Sequence, residues 1–311
     1  MSEPFDNCWF LSGATATGKT GVALELARRL DAEIASLDSM TIYRGMDIGT
    51  AKPAPAERAV VPHHLLDIVD PADEYSVAQY VEDAATTVAA IRARGREVLF
   101  VGGTPLYLKS LLRGLFDGPP ANWELRHEIE AELEQVGQAA LHERLMQVDP
   151  VAASAIHPHD TRRMIRALEV FRATGEPLSH QQMQFEDGRA AEECRVFVLR
   201  RERRELHQRI EGRVEAMLEV GLVDEVRGLT SNGNRLGRTA SQAVGYRESL
   251  AHLAGQIGVD EMRARIQART RQFAKRQGTW FRSLSECRFV DIAGEVDESA
   301  VATRIVAAGA A

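Results

Sequence analysis

Cysteine is scarce in this chain: Cys8, Cys194 and Cys287 are the only three in 311 residues. They are scattered and odd in number, which offers neither a disulfide framework nor a metal-ligand spacing and points to a reducing compartment. Long apolar runs are absent as well, and no stretch approaches the ~18 residues that a membrane-spanning helix requires. A secretory leader is not expected, because Glu3 and Asp6 precede the first apolar run. Repeats and low-complexity tracts are missing too. What remains is an ordinary composition, 44% hydrophobic and 27% charged, with length for one large domain or two modest ones. A cytoplasmic protein with no membrane partner is expected.

One further absence is local. The chain carries a formal charge of −7, yet from Met262 to Ser285 it has seven Lys/Arg and no acidic residue. Arg265, Arg269 and Arg276 share one side of a helix there. A one-signed run in an acidic protein predicts a surface that faces a polyanion, since phosphate contacts come mainly from clustered Lys/Arg.

What is present begins at Gly13. Gly13-Ala14-Thr15-Ala16-Thr17-Gly18-Lys19-Thr20 completes the pattern G-x-x-x-x-G-K-[ST]. An apolar run, Trp9-Phe10-Leu11, precedes it. Val22, Leu26 and Leu30 follow at the spacing of a buried helical stripe. Strand, glycine loop, helix is the setting in which this pattern binds phosphate: the backbone N–H groups converge and the helix N-terminus adds partial positive charge. Lys19 is expected to reach the terminal phosphate and the Thr20 hydroxyl to hold Mg²⁺.

Glu33–Leu37 and Val98–Val101 read as further strands buried on both faces, with a crossover helix over Val77–Ile91. Asp38-Ser39 ends the first and Gly102-Gly103-Thr104 the second, so both tails and the phosphate loop are expected at one crevice. Gly118-Pro119-Pro120 breaks the chain. Beyond it, Glu124–Gln135, Ala139–Gln147 and Thr161–Thr174 read as helices, with no strand until Arg195–Leu199. The predicted fold is α/β: a parallel P-loop sheet flanked by helices (1–118 and 195–311) with an all-helical insertion (119–194). A long helix over Glu205–Val220, the basic helix, a strand at Phe289–Ile292 and a terminal helix complete the core. Ala307–Ala311 is expected to fray.

The loop alone leaves kinases, NTPases and other phosphate users open. An ATPase or GTPase normally has a strand ending in Asp or Glu that orders Mg²⁺ and the attacking water. Here Val98–Val101 ends in Gly-Gly-Thr, which counts against ATP hydrolysis. Asp38 is the only carboxylate at these strand ends. It is suited to take a proton from an acceptor nucleophile, or to hold a metal-bound water. The Thr104 hydroxyl can donate to a developing anion or position an acceptor.

Together with the loop, the run Asp38–Pro53 closely resembles the tRNA dimethylallyltransferase family, the tRNA isopentenyltransferases, in their bacterial form. So do Pro62–Asp67, Gly102–Tyr107, Val244–Arg247 and Lys275–Arg282. The matches run in order from residue 13 to about 282. Ala14 stands where the family commonly has Pro, Thr17 where it has Ser, and Gln242 where Arg is frequent. No zinc-finger ligands follow the core.

The resemblance implies transfer of the dimethylallyl group from dimethylallyl diphosphate to the N6 amine of the adenosine 3′-adjacent to the anticodon, with release of diphosphate. It implies Asp38 as general base, Thr104 at the reacting centre, and a loop that grips the prenyl diphosphate. Lys19, Thr20 and Mg²⁺ would neutralise the leaving group, and Arg209 and Arg213 would be further diphosphate ligands. Contacts to the tRNA anticodon stem-loop fall on Asp38, Ser39, Met40, Thr41, Thr104 and Arg126, on Arg162, Arg163, Met164, Ile165 and Arg166, and on Gln242, Ala243, Val244, Gly245, Tyr246 and Arg247. The last group is Lys275, Arg276, Gln277, Gly278, Thr279, Trp280, Phe281 and Arg282. Tyr246 and Trp280 are candidates to stack on bases. A monomer is expected. The competing readings are a prenyltransferase acting on free adenine nucleotides, a small-molecule P-loop kinase, and a non-catalytic RNA-binding protein.

Overall fold

The structure, a computed structural model, describes residues 3–114, 118–119, 121–182 and 188–310. Pro120, in the break expected at 118–120, lies outside them. The chain divides into two compact units, Met1–Leu112 with Gly188–Ala311, and Arg113–Asp187.

In chain order come β1 (Trp9–Gly13), α1 (Lys19–Leu30), β2 (Ala32–Ser36), α2 (Pro55–Val60), the two-residue β3 (His63–His64), α3 (Val77–Ala93), β4 (Glu97–Gly102) and α4 (Pro105–Arg113). The second unit supplies α5 (Trp123–Val148), α6 (Pro150–Ala155), α7 (Thr161–Thr174) and α8 (Leu178–Gln182). The chain then returns with β5 (Val196–Arg200), α9 (Arg203–Val220), α10 (Leu222–Leu229), α11 (Arg238–Ser241), α12 (Tyr246–Leu253), α13 (Val259–Arg282), β6 (Cys287–Asp291) and α14 (Glu298–Ala310).

The six strands form one parallel sheet in the order β3-β2-β4-β1-β5-β6. Residues of β1 pair with β4 on one side (Trp9 opposite Leu99) and β5 on the other (Phe10 opposite Val196). Alternation along the strands feeds two apolar layers. Phe10, Phe100, Val196 and Val198 pack with Val88 and Ile91 of α3 and Leu108 of α4 on one face. Trp9, Leu11, Leu99 and Phe197 pack with Leu26 of α1 and Ile305 of α14 on the other. With both faces covered, the strands read as continuous apolar runs. Their carboxyl ends all emerge at one edge, where the phosphate loop, Asp38, Thr104 and Arg201 follow β1, β2, β4 and β5.

The α3 crossover starts at Ser76, whose hydroxyl accepts the Gln79 N–H while the Gln79 carboxamide takes the Ser76 N–H, a reciprocal cap. The two helices expected at 124–135 and 139–147 are both present within α5 and meet at Gly137, whose φ of 78° and ψ of 170° are not helical. Its Leu141 and Leu145 join Met164, Ile165 and Leu168 of α7 in the core of the second unit. Residues 188–194, expected in the insertion, belong with the sheet unit: Arg288 on β6 donates to the Ala191 and Glu192 carbonyls. α11 and α12 lie before the basic helix in a stretch for which no element was expected.

The chain end does not fray as expected. α14 is helical to Ala310, and Ala311 lies outside the described residues. Gly309 lies so close to the Trp9 indole that a Cβ there would overlap the ring, and Arg195 and Arg288 donate to the Gly309 and Ala308 carbonyls. Docking of the last turn replaces the solvent that would otherwise compete for it.

Candidate active site

β1 delivers Gly13 with φ +150°, and a Cβ there would come within 2.7 Å of the Leu199 carbonyl, so only glycine lets the chain leave the strand at this angle. The loop then curls back. Ala16 takes φ 64° and Gly18, the residue before α1, φ 97°. The Thr17 hydroxyl donates to the Ala14 carbonyl across 2.9 Å and pins the curl. Two arginines hold the loop by its carbonyls: Arg201 Nε donates to Thr17 O and Arg209 Nε to Ala16 O, each over 2.9 Å. Of the loop's N–H groups, that of Thr15 is taken by the Gln277 side chain and that of Thr17 by the Ala14 carbonyl. An open cleft of about 560 Å³ borders Gly18, Thr20 and Arg209.

Lys19 Nζ donates to the Gly13 and Ala14 carbonyls at 3.0 and 2.9 Å. Burial, reinforced by the Arg213 charge and opposed by Asp38, pushes its ammonium down to about 8. Asp38 follows β2. Burial holds its carboxyl above the ordinary carboxylate range, against the pull of the Met40 N–H (2.9 Å from Oδ1), Lys19, the Thr41 N–H and Arg213. A carboxylate raised in this way is the stronger base. Thr104 opens α4, with its N–H on the Leu37 carbonyl (3.1 Å) and its hydroxyl accepting the Ser39 N–H (3.0 Å). The β2 and β4 tails are thus stitched together, and the sheet brings Lys19, Asp38, Arg213 and Thr104 to one crevice.

Thr20 is exposed at the first turn of α1. Among the described residues no group of three or more His, Cys, Asp or Glu is placed to hold a metal ion. An all-protein cage is therefore missing, while a hydroxyl beside an anion-binding loop fits Mg²⁺, which keeps waters and is commonly shared with substrate phosphates.

The run Asp38–Pro53 is folded around two anchors, the buried Lys52 and the half-buried Glu225. Lys52 Nζ donates to Tyr43 O (2.7 Å), Asp47 Oδ1 (2.6 Å) and Asp67 Oδ1 (2.6 Å). Glu225 on α10 accepts the N–H groups of Asp47 and Ile48 at 2.9 and 2.7 Å, and the Tyr246 hydroxyl.

Several residues expected to touch tRNA are instead interior. Met164 and Ile165 are in the second unit's core, and Ala243, Tyr246 and Phe281 are buried in the first, so Tyr246 presents no face for stacking. Trp280 is half-buried. Arg126 and Arg166 both pair with the fully buried Glu169, at 3.0 and 2.9 Å. Arg163 pairs with Asp160; Arg162 is exposed with no side-chain partner among the described residues. Gln242 and Arg247 are exposed around the buried turn Ala243–Tyr246.

The basic helix α13 is only partly a polyanion face. Arg263 pairs with Glu215 and Asp260, Arg265 with Glu261, Arg269 with buried Glu248, and Arg271 with Glu211. The acids come from the helix's own first turn and from α9 and α12, outside the window in which the run looked one-signed. Lys275 and Arg276 are exposed, and their side chains have no partner among the described residues. Among the described residues the Arg282 side chain donates only to the Thr279 hydroxyl.

Arg201 was not anticipated. Its side chain is fully buried and its Nη2 has no hydrogen-bond partner among the described residues. Its place just past β5, at the sheet edge where ligands bind, was the available signal.

A parallel sheet whose first strand feeds a glycine loop and helix, with base and hydroxyl candidates at the neighbouring strand ends and no carboxylate ending β4, defines a P-loop fold. The profile of the family described as IPP transferase matches residues 41–284. The chain is 50% identical over 292 residues to a tRNA dimethylallyltransferase of Rhodopirellula baltica, covering 91% of this chain and 87% of that protein. It is 37% identical to the crystal structure of a tRNA isopentenylpyrophosphate transferase from Bacillus halodurans (TM-score 0.69; 98% and 97% of the two chains). It is 26% identical to a eukaryotic dimethylallyltransferase captured acting on tRNA (TM-score 0.73; 91% and 73%). The chain belongs to the IPP transferase family.

Proposed function

We propose that this chain transfers the dimethylallyl group of dimethylallyl diphosphate to the N6 amine of the adenosine 3′-adjacent to the anticodon in tRNA. The observation that carries this reading is Asp38: a desolvated carboxylate beside Lys19 and Arg213 at the mouth of a phosphate loop, with no carboxylate ending β4. An ATPase or GTPase normally carries that second acid; an alkyl transfer to an amine needs only the first.

In this reading the loop N–H groups, Lys19, Arg209 and Arg213 hold the diphosphate, and burial makes Lys19 an effective partner for it. The amine nitrogen attacks the prenyl carbon as its bond to the diphosphate oxygen breaks, and the amine proton passes to Asp38. Thr104, tied to Ser39, orients the acceptor. Thr20 would hold Mg²⁺, which would supply electrostatic neutralisation of the leaving group. The target base leaves its stack to enter the crevice.

For tRNA, the exposed residues Lys275, Arg276, Thr279 and Arg282 on α13, Gln242 and Arg247, and Arg162 and Arg163 are the direct contacts, with the buried members of those segments supporting them. The exposed basic residues of α13 favour tRNA over a free nucleotide as acceptor. No described helix is long and apolar enough to cross a membrane, and the protein is proposed to act as a cytoplasmic monomer. The test is incubation with Mg²⁺, dimethylallyl diphosphate and unmodified tRNA, followed by nucleoside mass spectrometry. One prenyl group gained on that adenosine supports the reading. A gain on free AMP alone transfers the protein to the nucleotide prenyltransferases, and no gain on either overturns prenyl transfer.

A further inference from the structure

Gln277 lies in the stretch of α13 expected to touch tRNA, next to exposed Arg276, but is itself only 3% exposed. Its carboxamide is used at both ends. Oε1 accepts the Thr15 N–H of the phosphate loop at 2.9 Å, and Nε2 donates to the Gly103 carbonyl at 2.6 Å. Thr15 belongs to the loop that receives the diphosphate. Gly103 immediately precedes Thr104, whose hydroxyl is tied to the Asp38–Ser39 turn. One side chain therefore spans the donor-binding and acceptor-activating halves of the crevice. The pair of contacts demands a donor and an acceptor on one planar group, which a carboxamide supplies and a carboxylate or an alkyl group does not. Glycine at 103 is part of the arrangement: a Cβ there would come within 2.6 Å of Nε2.

We propose that Gln277 is a positioning residue, which sets the spacing between the diphosphate loop and the Thr104 turn and does not bind tRNA. The proposal rests on the donor-site reading above. Two residues upstream and one upstream, Lys275 and Arg276 project from the same helix to solvent, so the helix that meets the acceptor also braces the donor loop.

The experiment measures binding of inorganic diphosphate with Mg²⁺ by calorimetry in the absence of tRNA, and kcat and KM in its presence. Gln277→Leu and the near-isosteric Gln277→Glu are each expected to weaken diphosphate binding about 10-fold or more. They should lower kcat by a similar factor with KM for tRNA nearly unchanged, as for a displacement of reacting groups by a fraction of an ångström. Gly103→Ala reaches the same contact from the turn after β4 and should reproduce the loss, and the double variant should lose no more than the worse single one. A raised KM for tRNA with unaltered kcat and diphosphate affinity would make Gln277 a tRNA contact. A lowered melting temperature with those constants unaltered would make it packing alone. Either result overturns the proposal, whereas wild-type protein that binds no diphosphate overturns the donor-site reading beneath it.

Discussion

The Tyr246 hydroxyl donates to Glu225 Oε1 across 2.5 Å, and the same carboxylate collects the N–H groups of Asp47 and Ile48. A tyrosine expected to stack on a base is thus the support of the loop that follows Asp38. Glu225→Ala orphans those donors together, so a loss of about 2–4 kcal/mol is expected, at ~1–3 kcal/mol per buried group partly rehydrated. Tyr246→Phe removes one bond and should cost about 1 kcal/mol. Urea denaturation of both variants measures this; equal stability of wild type and Glu225→Ala would show that the loop is held by other contacts.

Asp38 sets the acid side of the pH profile. Its carboxyl is held above the ordinary carboxylate range and must be ionised to accept a proton, so kcat/KM should fall as pH drops through that raised value. The Asp38→Asn variant is expected to lose about 10²-fold or more in kcat with tRNA affinity retained. The stability sign is opposite. A raised folded-state value means that ionisation disfavours the fold at neutral pH and the penalty is relieved as pH falls, so Asp38→Asn should melt above wild type at pH 7. A variant that melts lower would assign Asp38 a structural role.

Lys19 governs the alkaline side. Its ammonium is pushed down to about 8, and only the charged form attracts diphosphate. Affinity for diphosphate should therefore weaken as pH rises through about 8, although the ligand itself becomes more anionic. Binding near pH 8 should take up protons, read as a buffer-dependent calorimetric enthalpy. Tightening over the same range would remove Lys19 from the binding site.

The arginines of α13 divide into two kinds. Lys275→Ala with Arg276→Ala should weaken tRNA binding and reduce the slope of log K against log salt by about two. Arg269→Ala strips the partner from buried Glu248; it should cost on the order of 2 kcal/mol of stability, less than a fully buried pair because Arg269 is part-exposed, and leave the salt slope unchanged. Filter binding over a salt series with thermal melts separates the two.

Within the second unit, Glu169 is fully buried between Arg126 and Arg166 and accepts the Asn122 N–H at 2.6 Å. Glu169→Leu strands two guanidinium groups and the α5 cap, and faster hydrogen exchange in 121–182 is the expected outcome. Unchanged protection would mean that the apolar core of Leu141, Leu145 and Met164 suffices.

The strands and the phosphate loop were legible because their signals are local: an apolar run, a glycine spacing, a helical stripe. Val77–Ile91 was read almost to its observed ends for the same reason. β3 was not, since two histidines carry no strand pattern and pair with Ile34 and Ala35 only because the sheet edge is there. Asp38 and Thr104 were visible as strand-end residues. The bridge from Gln277 to Thr15 spans 262 positions, and nothing in a one-dimensional pattern marks it. The basic run misled for a related reason: charge was counted along the helix, while Glu211, Glu215 and Glu248 neutralise it from elsewhere in the chain.

Arg195 donates through Nη1 to the Asn7 carbonyl and through Nε to that of Gly309. One guanidinium thereby gathers the segment before β1 and the last turn of α14. Joined by a short flexible linker, these two regions would tolerate circular permutation, with the new opening cut at Gly255, a turn glycine with φ +72° and no neighbour within 4 Å of its missing Cβ. A permuted chain that binds diphosphate as tightly as wild type would show that the crevice depends on the sheet and not on where the polypeptide starts.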